Sequence, residues 1–253
     1  MLILCQSIPL ISKFTKRTIF SRLGNTTCNM RLLSVNSLQL VSFMGEDVPR
    51  YAILSHVWGE EEVTFQDIAD LNKVRRMRGF AKIQFACAQA KRERIKFVWI
   101  DTCCIDKTSS AELSEAINSM FRWHQEAYIC YAYLEEVEQL QGPELYNWGR
   151  DFGESTSFTR GWTLQELLAP AKVETIDSCC MYERLSWAKG RQTTRPEDRV
   201  YSLLGLVGVN MPLLYGEGHN GFHTIARGNH QNFNRRCVNG LDQAPYQDFT
   251  SEF

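Results

Sequence analysis

The 253-residue sequence is 44% hydrophobic, 23% charged and 11% aromatic, which fits one large globular domain with appendages and excludes fibrous, repeat and wholly disordered chains. Its 28 Lys and Arg stand against 29 Asp and Glu, a net charge of −1, so no overall charge draws it to nucleic acid or to an anionic membrane surface.

The charge is spread unevenly. No Asp or Glu precedes Glu46, whereas residues 1–29 hold Lys13, Lys16, Arg17 and Arg22. This basic stretch with its Ser and Thr is read as a leader outside the fold: a disordered or wrongly started segment, or else a mitochondrial transit peptide. Its apolar run 2–11 precedes the charges instead of following them, which argues against a secretory signal. No apolar run reaches the roughly 18 residues that a membrane span needs, and a cytoplasmic location is expected. The nine cysteines include the adjacent pairs Cys103–Cys104 and Cys179–Cys180 but no C-x-x-C. They read as buried thiols in a reducing compartment, not as a disulfide framework or zinc site.

In chain order, the apolar run Tyr51–Ser55 reads as a buried strand that leaves into a loop at His56-Val57-Trp58-Gly59. From Gly79 the period changes. Phe80, Ile83, Ala86, Cys87 and Ala90 recur at three and four, with Lys82, Gln89, Lys91 and Arg92 between them, as in an amphipathic helix. Ile95–Ile100 is a second strand that stops at Asp101. Ser109 and Glu112 stand at capping-box spacing before a helix with Leu113, Ala116, Ile117, Met120, Phe121 and His124 on one face. Tyr128–Leu134 is a third strand. Alternation of strand and helix at these lengths predicts right-handed crossovers and a parallel sheet covered on both faces.

After a polar loop near 141–157, Arg160–Leu168 reads as a short helix stopped by Pro170, and Lys172–Ile176 as a fourth strand. Thr194 and Glu197 form another candidate capping box leading into Val200–Leu206. The tail from Gly228 is polar and aperiodic.

Ligands of open parallel sheets bind beyond the carboxyl ends of the strands. Two such ends carry distinctive side chains: Ser55, His56, Trp58 and Gly59 after the first strand, and Asp101, Cys103 and Cys104 after the second. A Ser/His/Asp triad and a Cys–His pair are both conceivable there, but no G-x-S-x-G elbow accompanies them. The G-x-G-x-x-G at Gly216–Gly221 lacks a preceding strand and reads as a loop. His219 and His223 lack a third metal ligand. The basic clusters at 73–78 and 91–96 read as solvated helix or loop faces.

Three strings together resemble the fungal heterokaryon incompatibility (HET) domain: Tyr51–Gly59, Val98–Lys107 continuing through Ser109–Met120, and Phe158–Leu167. Arg195–Leu206 and Met211–Gly218 extend the resemblance, which runs from about Met30 to about Phe222 and leaves 228–253 as a tail. It implies an effector of cell death in non-self recognition, with homo-oligomers or other HET and sensor proteins as partners. It also implies a distant likeness to Toll/interleukin-receptor (TIR) domains, hence a TIR- or flavodoxin-like parallel sheet flanked by helices, with a shortened helical C-terminal part. TIR members either assemble as adaptors or cleave NAD, so the alternatives to an NAD-cleaving effector are a non-catalytic module that signals by homotypic assembly and an inactive truncated paralogue. Trp162 to Glu166 has the Trp-x-x-x-Glu spacing of a plant TIR segment, which implies Glu166 as the catalytic carboxylate, with Ser55, His56, Trp58, Gly59, Asp101 and Trp162 around the substrate. NAD would be substrate and no cofactor is expected. The plain alternative makes Glu166 a helix residue favoured by the macrodipole and Trp162 a core residue. The sequence departs from the family at Ser155-Thr156-Ser157, where an Arg and a Trp are usual, and at Asp177–Cys180, which joins two strings that family members separate by a substantial segment.

Overall fold

The structure is a computed structural model and describes residues 2–4, 29–133, 157, 159–169 and 187–216. A mixed α/β body is built on one sheet with strand order β1-β6-β4-β5-β2-β3. The strands are β1 (Leu2–Leu4), β2 (Asn29–Ser34), β3 (Leu40–Met44), β4 (Tyr51–His56), β5 (Phe97–Trp99) and β6 (Ile129–Tyr133). The expected parallel arrangement holds for the three central strands: β4 pairs parallel with β5 (Ala52 opposite Val98) and with β6 (Ile53 opposite Cys130). The flanking strands run antiparallel, because β2 and β3 form a hairpin joined by the turn at 35–39, and β2 then lies antiparallel to β5. Leu2–Leu4, in the segment expected to stand outside the fold, instead pairs antiparallel with β6 as the edge strand.

All six residues of β4 are buried, which requires cover on both faces of the sheet. The cover comes from the two crossover segments. The first carries α1 (Leu71–Val74) and α2 (Phe80–Arg92), and the second carries α3 (Asp101–Cys104) and α4 (Ser110–Glu126). On α2 the predicted stripe Phe80, Ile83, Ala86, Cys87 and Ala90 is buried, but so is Lys82, which the sequence reading places with the polar residues. On α4, Ser109 caps the first turn by accepting the Glu112 backbone N–H at 3.4 Å. The reciprocal arm of the capping box does not form. The Glu112 carboxylate accepts from the Asp106 N–H at 2.7 Å and pairs with Arg31 instead, tying the helix start to β2.

Past β6 the named elements among the described residues are helices: α5 (Gly161–Leu168), α6 (Asp198–Tyr201) and α7 (Leu204–Val207). Two smaller apolar clusters hold this part to the body, one of Ile117 with Val200, Tyr201, Leu204 and Val207, the other of Leu164, Ala188, Leu203 and Leu206 packed against Phe121 of α4. Gly205 allows α7 to lie against α4, since a Cβ there would stand 2.0 Å from the Phe121 Cβ. The second candidate capping box fails too: Glu197 makes no side-chain cap and accepts the Gly216 N–H at 2.9 Å. Segment 209–216 is held in the same way by side chains, with the Asn118 amide paired to the Met211 backbone and the Tyr201 hydroxyl to Leu214. The strand at 172–176, the junction at 177–180, the His219/His223 pair, the Gly-rich motif beyond Gly216 and the tail lie outside the described residues.

Candidate functional site

The chain runs from β4 to β5 on one side and returns across to β6 on the other. The strand order therefore reverses at β4, and the rim above its carboxyl end is where such a sheet leaves a crevice. Ser55 and His56 close β4, and because successive strand residues point to opposite faces, they reach different partners. The Ser55 hydroxyl donates to Glu166 Oε2 of α5 at 2.5 Å. His56 Nε2 lies 3.0 Å from Oδ1 of Asp101, which opens α3 and is separated from the end of β5 only by Ile100. A Ser–His–Asp relay is therefore not assembled: the hydroxyl serves Glu166, and the imidazole serves Asp101.

Asp101 is the hub of the rim. Its second oxygen accepts the Trp58 indole N–H at 2.8 Å and lies 3.7 Å from the Lys107 ammonium. Burial pushes this carboxyl up, but Lys107, then the hydrogen bonds from His56 and Trp58, outweigh it and hold Asp101 well below the usual carboxylate range. Lys107 also sits 3.5 Å from the centroid of the Trp58 ring, a cation–π contact. Even so Trp58 is 46% exposed, and it presents a flat apolar surface.

Glu166 behaves in the opposite way. Burial, with the neighbouring Asp101 charge, raises its carboxyl to about 7 against the opposing Ser55 hydrogen bond and the His56 and Arg160 charges. Two rim carboxyls thus differ in protonation near neutral pH, one fixed as the anion and one poised to gain or lose a proton. Environments that separate two carboxyls in this way mark acid–base sites.

Of the other residues singled out in the sequence, Gly59 lies in the rim loop and donates its N–H to Glu62 at 2.6 Å. Trp162 is half-buried: it packs against the main core and against the Ile117–Val207 cluster, and its side chain is hydrogen-bonded to Asp198. Cys103 and Cys104 are buried at 0% and 3% exposure. Hydrogen bonding to Cys104 and burial push the Cys103 thiol well above its ordinary value, so the Cys–His nucleophile is not formed. Among the described residues no group of three His, Cys, Asp or Glu side chains is placed to hold a metal ion, and no helix is long and apolar enough to cross a membrane.

Three rim residues escape the sequence reading: Glu62, Lys82 and Lys107. For Lys82 a signal exists, because it stands four and eight residues before the buried Ala86 and Ala90 and so shares their face of α2. For Lys107 and Glu62 the only cue is nearness in sequence to Asp101 and Gly59.

Residues 51–148 match the family described as heterokaryon incompatibility protein (HET). The vegetative incompatibility protein HET-E-1 of Podospora anserina is 42% identical over 210 residues, which is 68% of this chain and 15% of that protein. The chain therefore spans about 15% of the length of the curated relative it matches. No solved structure matches.

Proposed function

Because the chain carries a domain of the heterokaryon incompatibility family, we propose that it acts in fungal non-self recognition as an effector of cell death, and that its rim hydrolyses NAD. The observation that carries the catalytic reading is the split pair of carboxyls at the rim, Glu166 of α5 raised to about 7 and Asp101 held anionic.

In this reaction the bond between nicotinamide and ribose C1′ breaks, its electron pair leaves on nicotinamide, and positive charge develops on the ribose. Water then adds to C1′, giving ADP-ribose and releasing one proton. The leaving group is already cationic and needs no acid. What helps is a carboxylate facing the developing charge and accepting the proton of the attacking water. Ionised Glu166 takes that role, oriented by Ser55. The Asp101 anion adds to the local field, and Trp58 offers its exposed ring to a flat base.

The test is to incubate the purified full chain with NAD and separate nicotinamide by chromatography. Glu166→Gln, which keeps the shape and the acceptor for Ser55, is expected to abolish release. Equal turnover in that variant, or no turnover by folded and assembled wild type, removes the assignment.

A further inference from the structure

The loop 57–62 that carries Trp58 and Gly59 is held chiefly by side chains. Lys82, on the buried face of α2, reaches up to it, with a side chain only 7% exposed. Its Nζ donates to the Val57 carbonyl at 2.8 Å and to Glu62 Oε1 at 2.5 Å, so one ammonium grips both ends of the loop. The same Glu62 oxygen accepts the Gly59 N–H and stands 4.0 Å from His56 Nδ1. Gly79 lets the loop come this close: its N–H donates to the Glu61 carbonyl at 2.9 Å, and a Cβ there would lie 2.5 Å from that oxygen and 2.9 Å from the Glu62 Cα.

A buried ion pair gains little net stability over apolar side chains of equal size, because desolvation offsets the attraction. Its distinctive property is direction: each donor and acceptor admits only a narrow geometry. Here the pair spans the residues that flank Trp58. We propose that Lys82 is a positioning residue for the rim: through Glu62 and Val57 it sets the loop so that the Trp58 indole reaches Asp101 and stands beneath Lys107. This concerns the placement of the rim and holds whatever the rim binds or cleaves.

The test reads Trp58 directly in the full chain. Six indole N–H signals are expected in a nitrogen-15 correlation spectrum, one per Trp, and Trp58→Phe identifies the Trp58 signal. Asp101→Asn gives the position of that signal without its carboxylate partner. In Lys82→Met the Trp58 signal should move to its Asp101→Asn position, while those of the core residues Trp99 and Trp123 stay in place. Should Lys82→Met fail to fold, Lys82→Met/Glu62→Met, which leaves no buried charge unpaired, serves in its stead with the same expectation. A Trp58 signal that keeps its wild-type position in the folded variant overturns the proposal. So does a shift shared equally by Trp99 and Trp123, which marks a general packing role. The readout needs no NAD, so a chain that does not cleave NAD still answers it.

Discussion

Ser55, the fifth residue of β4, donates its hydroxyl hydrogen to Glu166 in the second turn of α5, across 111 positions of sequence and at 2.5 Å. This contact joins the helical part after β6 to the sheet at the point where the strand order reverses. It also brings a carboxyl into a setting where burial raises its proton affinity.

The raised Glu166 carboxyl has a cost that depends on pH. Its folded value of about 7 exceeds the ordinary 4.5, so between these pH values the native state holds a proton that the unfolded chain releases. Stability therefore falls as pH rises from about 4.5 through about 7 and levels off above. Glu166→Gln removes this dependence. The variant should match wild type in urea melts at pH 4.5 and exceed it at pH 8 by at most about 3 kcal/mol. The same ionisation predicts that wild-type NAD turnover rises with pH through about 7.

Asp101→Asn should be destabilising, because His56, Trp58 and Lys107 all lose their charged acceptor. A loss of about 2–4 kcal/mol at pH 7 is expected from denaturant titration. The sign of the pH dependence is opposite to that of Glu166. The folded carboxyl lies below its ordinary 3.8, so its contribution is complete above about pH 4 and lost as pH falls further. The gap between variant and wild type should narrow below pH 4.

Gly205→Ala tests the seating of α7 on α4. The added methyl would overlap the Phe121 Cβ, and neither backbone can give way without disturbing the cluster of Ile117, Val200 and Leu204. Overpacking of this kind costs about 1–3 kcal/mol, read as a lowered midpoint of thermal or denaturant unfolding. An unchanged midpoint would show that α7 does not sit on α4 as described.

Cys87, Cys103 and Cys104 should resist iodoacetamide in the native protein and react fully in denaturant, with the labelled positions mapped by mass spectrometry. All three are buried, and burial pushes the Cys87 thiol up to about 12. Little thiolate of Cys87 or Cys103 exists at neutral pH to react, and burial shields Cys104. Rapid native labelling of Cys103 or Cys104 would reopen the possibility of a cysteine nucleophile at the rim.

The regular elements were largely legible in the sequence because their signals are local. The apolar run of β4, the three-and-four spacing on α2 and α4 and the Ser109 cap each arise within one segment, and each forms where the pattern places it. The β2–β3 hairpin was not legible: β2 includes Arg31, and three residues of the edge strand β3, Val41, Ser42 and Met44, are exposed. Neither strand shows a clean apolar run or a two-residue turn motif. The acidic capping-box residues misled because a carboxylate takes whichever donor the fold brings nearest. For Glu112 those were Arg31 and Asp106, and for Glu197 the Gly216 N–H.

The sequence by itself determined the alternating strands and helices of the body, the buried thiols among the described residues, and a rim holding Ser55, His56, Trp58 and Asp101, because apolar periodicity and strand ends are written in neighbouring residues. Only the tertiary structure decided which partner each rim group takes: Ser55 for Glu166, His56 and Trp58 for Asp101, Lys82 for Glu62. It also tied half-buried Trp162 to the edge of the core and to Asp198. The physical reason is that proton affinity and hydrogen-bond choice depend on what lies within a few ångströms in space, and at this rim those neighbours come from β4, α2, α3 and α5, which are far apart along the chain.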